Sequence, residues 1–156
     1  MPSFVAYDST LRDGAQAQGI SFSVEDKLRI VEKLDALGIT YIEAGNPGSN
    51  PKDLEFFRRV AGLKLKHARI IAFGSTRKVG IEPQQDRNLQ SLLAAGTQAV
   101  AIFGKSWDYQ VTDILRTTLE ENLRMIGATV ACLKQQGGEV VFDAEHFFAG
   151  FEANAD

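Results

Sequence analysis

The chain has 156 residues, 44% of them apolar and 24% charged, which is one domain's worth of ordinary globular composition with enough length to bury a core. Its net charge of -3, with acids and bases interspersed, argues against nucleic acid or an anionic membrane as the main partner. A single cysteine, Cys132, excludes an internal disulfide and points to an intracellular setting. No apolar run approaches ~18 residues, so neither a membrane span nor a signal peptide is expected, and the cytoplasm is the expected compartment.

In chain order, Phe4–Tyr7 is an apolar run too short for a helix and about right for a buried strand. It gives way to Asp8-Ser9-Thr10-Leu11-Arg12-Asp13-Gly14, polar and charged, with a glycine at the bend. Ser23 is placed to cap a helix over Val24–Leu37, with Asp26 as its capping-box partner and Gly38 as the stop. Val24, Leu28, Val31, Leu34 and Leu37 make its apolar stripe. Tyr41–Ala44 reads as the next strand. Asn50-Pro51 opens a second helix carrying Leu54, Phe57 and Val60 and ending at Gly62. Ile70–Phe73 is a third strand, followed by a helix from near Asp86 through Leu89, Leu92 and Leu93 to Gly96. Ala99–Phe103 is a fourth strand. A longer helix over Thr112–Gln136 should turn Leu115, Leu119, Leu123, Ile126, Val130 and Leu133 inward, with Cys132 beside that face and without a role. Val140–Phe142 closes the series as a fifth strand.

Strict strand–helix alternation implies parallel strands with helical crossovers. An open doubly wound sheet should carry G-x-G-x-x-G after its first strand, and a P-loop needs G-x-x-x-x-G-K-[ST]; neither pattern occurs. The segments after the strands are instead polar, among them Arg12-Asp13, Gly45-Asn46-Pro47-Gly48 and Asp143-Ala144-Glu145-His146. Polar groups collected at the C-terminal ends of successive parallel strands favour the α/β class and a (β/α)8 TIM barrel. A whole barrel takes ~250 residues. The chain holds about strands one to five and helices one to four, so it reads as the N-terminal portion of a barrel domain, cut before strand six.

Several residues could carry chemistry. Arg12 can hold a carboxylate or an oxyanion, and Asp13 can ligate a hard divalent cation; the alternative is a turn with two solvated charges. Glu43, near the end of a buried strand, should be paired or lie beside a cation. Asp143 and Glu145 are two apart and share a side if their strand continues, with His146 pointing away. His67 and His146 are the sole histidines, too few for a His-rich metal site. Ser106 has nothing to orient it as a nucleophile.

Asp8-Ser9-Thr10-Leu11-Arg12-Asp13-Gly14-Ala15-Gln16 resembles the signature of the superfamily of isopropylmalate, homocitrate and citramalate synthases and HMG-CoA lyase, the DRE-TIM metallolyases. Glu43 with Gly45-Asn46-Pro47-Gly48-Ser49-Asn50-Pro51, Phe73-Gly74-Ser75-Thr76-Arg77, Phe103-Gly104-Lys105-Ser106-Trp107-Asp108 and Phe142-Asp143-Ala144-Glu145-His146 most resemble the citramalate synthase branch. The resemblance implies a catalytic role for Arg12, which steadies a developing oxyanion, and for Glu43 and Glu145. It implies substrate contacts from Arg12, Gln16, Asp143 and Glu145, and a metal ligand in Asp13. The cofactor it implies is a divalent ion (Mg, Mn or Zn), and the partners are acetyl-CoA and a small 2-oxo acid, pyruvate, in a homodimeric parent enzyme.

The reaction so implied is a Claisen-type condensation to citramalate and CoA, with the ion as Lewis acid on the ketone. A larger 2-oxo acid, as in isopropylmalate or homocitrate synthases, and HMG-CoA cleavage are the alternatives, with a non-catalytic half-barrel module behind them. Two departures bear on the resemblance. Gln110 stands where relatives commonly carry histidine, and the family's remaining metal ligands, a His-x-His pair on strand seven, lie beyond this chain. The chain alone is therefore expected to be inactive or nearly so.

Overall fold

The computed structural model describes residues 4–49 and 51–155. Five strands, β1 (Tyr7–Asp8), β2 (Tyr41–Gly45), β3 (Arg69–Ser75), β4 (Ala99–Lys105) and β5 (Glu139–Glu145), alternate with the helices α1 (Val24–Ala36), α2 (Pro51–Val60), α3 (Arg87–Ala94), α4 (Leu119–Gln135) and α5 (Phe147–Ala153). Every pairing is parallel and the spatial order is β1-β2-β3-β4-β5, each strand beside its predecessor. An order without reversal is that of a barrel wall, whereas a doubly wound sheet reverses at a switch point.

The sheet is curled. Tyr41 at the start of β2 donates its hydroxyl to Glu139 Oε1 at the start of β5, 2.6 Å away, and Arg69 Nη1 reaches Glu139 Oε2 at 2.9 Å. In a flat sheet β2 and β5 would stand three strand spacings apart, about 14 Å, too far for these side chains to meet. Residues alternate cleanly between two layers. Ile42, Ala44, Ala72, Val100 and Ile102 pack outward against helix residues such as Val31, Phe56, Phe57 and Leu89. Ile71, Phe73, Ala99 and Ala101 form a second cluster with Tyr41, Phe103 and Val141, on the concave side. The arrangement is a five-stranded portion of a TIM barrel.

Local signals explain most element ends. Ser23 Oγ accepts from Asp26 N while Asp26 Oδ2 accepts from Ser23 N, so the expected capping box of α1 is present. Gly38 and Gly96 stop their helices at φ 82° and 64°, where a side chain is disfavoured. The start signal at Asn50 lies outside the described residues.

Some expectations need correcting. The first strand is Tyr7–Asp8 rather than Phe4–Tyr7, and Phe4 is 95% exposed, because β1 pairs on one side alone among the described residues and nothing covers what precedes it. Leu37 caps the end of α1 and is exposed rather than part of its inward stripe. The long helix over Thr112–Gln136 is broken. A π-helical turn at Gln110–Ile114 ends, Arg116 takes φ 56°, and Thr118 caps a fresh start by accepting from Glu121 N. The new helix has a different phase, so Leu123 is 68% exposed and Leu119 is exposed as well. The buried face is Asn122, Met125, Thr129, Cys132 and Leu133. Two side-chain bonds fix that phase: Asn122 Nδ2 donates to Lys105 O, and Thr129 Oγ1 accepts from Arg77 N. A fifth helix, α5, follows the four expected from the sequence.

Candidate active site at the strand ends

The segment after β1 is folded by its own short polar side chains. Asp8 accepts from Thr10 N and Thr10 Oγ1, and Ser9 O accepts from both Arg12 N and Gly14 N. This turn buries Leu11 completely and sends Arg12 back across the strand ends. Arg12 Nε donates to Glu43 Oε1 at 2.5 Å, Nη1 donates to Asp13 Oδ1 at 3.1 Å, and the guanidinium carbon lies 3.9 Å above the centre of the Phe73 ring. Phe73 in turn stacks on Phe103, centroids 5.2 Å apart. A cation bonded on two sides and resting on an aromatic face has little freedom left.

Glu43 is 3% exposed at its side chain, and its second oxygen accepts from Tyr7 Oη at 2.5 Å. Both carboxylate oxygens are thus satisfied, as a buried anion requires. Partial burial and the bond to Glu43 push the Tyr7 phenol well above its ordinary ionisation range; the Glu43 and Asp143 charges add to the rise and Arg12 opposes it. The sequence alone does not single out Tyr7. The signal that could have found it is the unpaired acid at position 43, whose strand must have a neighbour carrying a donor.

Asp13 is 63% exposed at its side chain, so it meets solvent at the rim beside Arg12. Gln16 and Glu145 join Arg12, Leu11, Phe73 and Phe103 around one cleft of about 520 Å³. Glu145 is ion-paired with Lys105, its register neighbour on β4. Arg12, Asp13, Gln16, Glu43 and Glu145 are therefore brought to the same end of the sheet. Asp143 is exposed and does not line the cleft, although its charge registers on Tyr7. His146 turns away at φ 57° and packs beside Trp107, centroids 6.0 Å apart. Arg77 is not a free anion-binding group, because Nη2 is held by Glu121 at 2.9 Å.

A divalent ion tests poorly against these residues. Among the described residues no group of three His, Cys, Asp or Glu side chains could hold one. Glu43 accepts one bond on each oxygen, from Tyr7 and Arg12, Glu145 is paired with Lys105, and Asp13 is bonded to Arg12 at the rim. The described residues do not by themselves fit a catalytic metal, which typically has three protein ligands.

Comparison with known proteins places the chain. It is 55% identical over 150 residues to the (R)-citramalate synthase of Aquifex aeolicus, covering 96% of this chain and 28% of that protein. It is 48% identical over 155 residues to the (R)-citramalate synthase of Streptomyces coelicolor, covering 99% and 29%. A homocitrate synthase of Saccharolobus islandicus is 34% identical over 138 residues. The chain thus spans little more than a quarter of the length of these relatives. Among solved structures, hydroxymethylglutaryl-CoA lyase from Pseudomonas aeruginosa superposes with a TM-score of 0.65 at 20% identity, over 88% of this chain and 44% of that one, which is a likeness of fold. The HMGL-like family model matches residues 4–153, and with nearly every residue accounted for by that match, the chain belongs to the HMGL-like family.

Proposed function

We propose that these residues are the N-terminal portion of the catalytic barrel of an acyltransferase that condenses acetyl-CoA with pyruvate to give citramalate and CoA. The relatives named (R)-citramalate synthase, at 48% to 55% identity, support this choice of reaction. The structural observation that carries it is the Arg12 guanidinium, locked by Glu43 and Asp13 over Phe73 at the mouth of the cleft.

In the condensation the methyl carbon of acetyl-CoA loses a proton and attacks the keto carbon of the 2-oxo acid. A C–C bond forms, the C=O electron pair moves onto oxygen and takes up a proton, and water then cleaves the thioester to release CoA. Arg12 serves the oxygen on which that charge develops. With Nε and one N–H of Nη1 engaged internally, the N–H groups of Nη2 and the second N–H of Nη1 are left to meet it, and a cation already held in place costs no reorganisation when the charge appears. Glu43, buried and bonded to both Arg12 and Tyr7, has the part of holding Arg12. Glu145 and Gln16, on the cleft wall, are the groups for the 2-oxo acid, and Asp143 stands outside that wall. Asp13, at the rim, is a carboxylate that would offer a divalent ion one oxygen.

The test is CoA release by the full-length polypeptide, given acetyl-CoA with pyruvate, 3-methyl-2-oxobutanoate or 2-oxoglutarate in turn. Fastest release with pyruvate supports the proposal. Preference for a larger acid assigns the chain to an isopropylmalate or homocitrate type, and cleavage of HMG-CoA without condensation assigns it to a lyase. One or two methylenes are worth only ~1–3 kcal/mol each in an apolar pocket, so all three acids must be compared directly.

A further inference from the structure

The end of β2 is irregular. Glu43 pairs with Ile71 and Gly45 with Ala72, so two steps along β2 oppose one along β3 and Ala44 has no register partner between them. This is a β-bulge, a device that bends a strand and re-aims the side chain beside it. The bulge separates Glu43, which faces the concave side and takes Arg12 and Tyr7, from Gly45, where the chain swings outward into the segment Asn46–Ser49 lining the cleft. An extra residue in a buried strand leaves a carbonyl without a ladder donor, and such a group must find one elsewhere.

The donor comes from α1. Lys27 is 4% exposed, and its Nζ donates to Ala44 O at 2.9 Å and to Asp53 Oδ1 at 2.7 Å. Asp53, at the start of α2, accepts from Asn46 N through Oδ2 at 3.1 Å. The two residues on either side of Gly45 are therefore tied to one buried ion pair, through the carbonyl before the glycine and the amide after it. The fit is close. Gly45 has φ 142°, and a Cβ there would lie 2.6 Å from Asp53 Oδ2.

We propose that Lys27, with Asp53, is a positioning residue that holds the β2 bulge and thereby aims Glu43 at Arg12. Neither residue touches the Arg12 guanidinium among the contacts described, so the action runs through the backbone at Ala44 and Asn46. An apolar pair could fill the same space beneath β2. Only a donor long enough to reach the Ala44 carbonyl and an acceptor for Asn46 N can keep the bulge. The consequence for turnover rests on the function proposed above; the consequence for geometry does not.

The experiment reads the geometry directly. In a ¹H–¹⁵N spectrum of the chain, the Arg12 Nε–H resonance, assigned by its loss in R12K, is hydrogen-bonded to Glu43 and should exchange slowly with solvent. Lys27→Met strands a buried carboxylate and can unfold the chain, so the deciding variant is K27M/D53N, which removes both charges of this pair and keeps an acceptor for Asn46 N. The double variant should unfold cooperatively in urea while its Arg12 Nε–H exchanges roughly tenfold faster or more, as expected when a charge-assisted bond is given up. A folded double variant with wild-type Arg12 protection would overturn the proposal. No turnover enters the measurement, so this result and that of the CoA-release assay stand or fall separately.

Discussion

Arg12 and Glu43 lie 31 residues apart in the chain and meet with Nε 2.5 Å from Oε1, the carboxylate buried and the guanidinium spread over Phe73. The pair ties the turn after β1 to the end of β2, and Tyr7 completes it by donating to the other carboxylate oxygen. Three groups from two strand ends thus behave as one unit, and changes to any of them should be felt by the others.

Truncating Glu43 leaves the Arg12 charge and the Tyr7 hydroxyl without their common partner. Glu43→Ala should cost about 3 kcal/mol of stability, read as a fall in the urea midpoint at unchanged slope. Glu43→Gln, which still accepts from Arg12, should cost less. Equal losses for the two variants would mean that the charge on Glu43 carries the whole effect and that a neutral acceptor recovers none of it.

Tyr7 should ionise late. Its ordinary value is 10.0 and the fold raises it, so the neutral phenol is favoured in the native state. The stabilisation this gives is complete below pH 10 and lost as pH rises beyond it. Tyr7→Phe should lower stability by about 1.5 kcal/mol near neutrality and show less alkaline loss than the wild type. Absorbance titration of the phenolates, with Y7F as the subtraction, checks the direction.

At the opposite end of the sheet Asp35 accepts from the backbone amides of Lys66, His67 and Ala68, which holds its carboxyl down at about 2 against an ordinary 3.8. A depressed carboxylate contributes stability that is present above pH 3.8 and lost as pH falls through about 2. Acid unfolding followed by circular dichroism should therefore be less steep in Asp35→Asn across that window. A wild-type slope in the variant would remove Asp35 from the account of acid sensitivity.

Much of this fold could be read from the residues, for a physical reason. Buried parallel strands such as Ile70–Phe73 are unbroken apolar runs, and helix ends such as Ser23 and Gly38 carry local chemistry that survives any tertiary context. What could not be read depends on partners distant in sequence. Leu123 fits an inward stripe by spacing, yet the phase of α4 is set by Asn122 on Lys105 and by Thr129 on Arg77. Lys27 looks like a solvated helix charge until Ala44 and Asp53 are found beneath it. At the site, the need of Glu43 for a partner was legible, whereas Tyr7 as one of its partners was not.

Two glycines separate strain from crowding. Gly38→Ala meets open space at φ 82° and should cost about 1 kcal/mol from backbone conformation alone. Gly45→Ala adds a collision with the Asp53 carboxylate, itself braced by Lys27, and should cost at least about 2 kcal/mol more. Equal costs at the two sites would show that the segment around Asp53 yields easily.

Phe147, Phe148 and Phe151 are exposed on α5 beside β5, and β1 and β5 each pair on one side among the described residues. Open strand edges next to apolar surface invite association. The isolated chain should sediment with a concentration-dependent mass, and a strictly monomeric chain at high concentration would contradict this.

The most direct measurement of the central claim follows ¹³C-labelled pyruvate and acetyl-CoA by NMR with the full-length polypeptide, wild type against Arg12→Gln. Labelled citramalate and free CoA are expected from the wild type, with a loss of turnover on the order of a hundredfold or more in R12Q. Absence of citramalate from the wild type, or equal turnover by the two proteins, would contradict that claim.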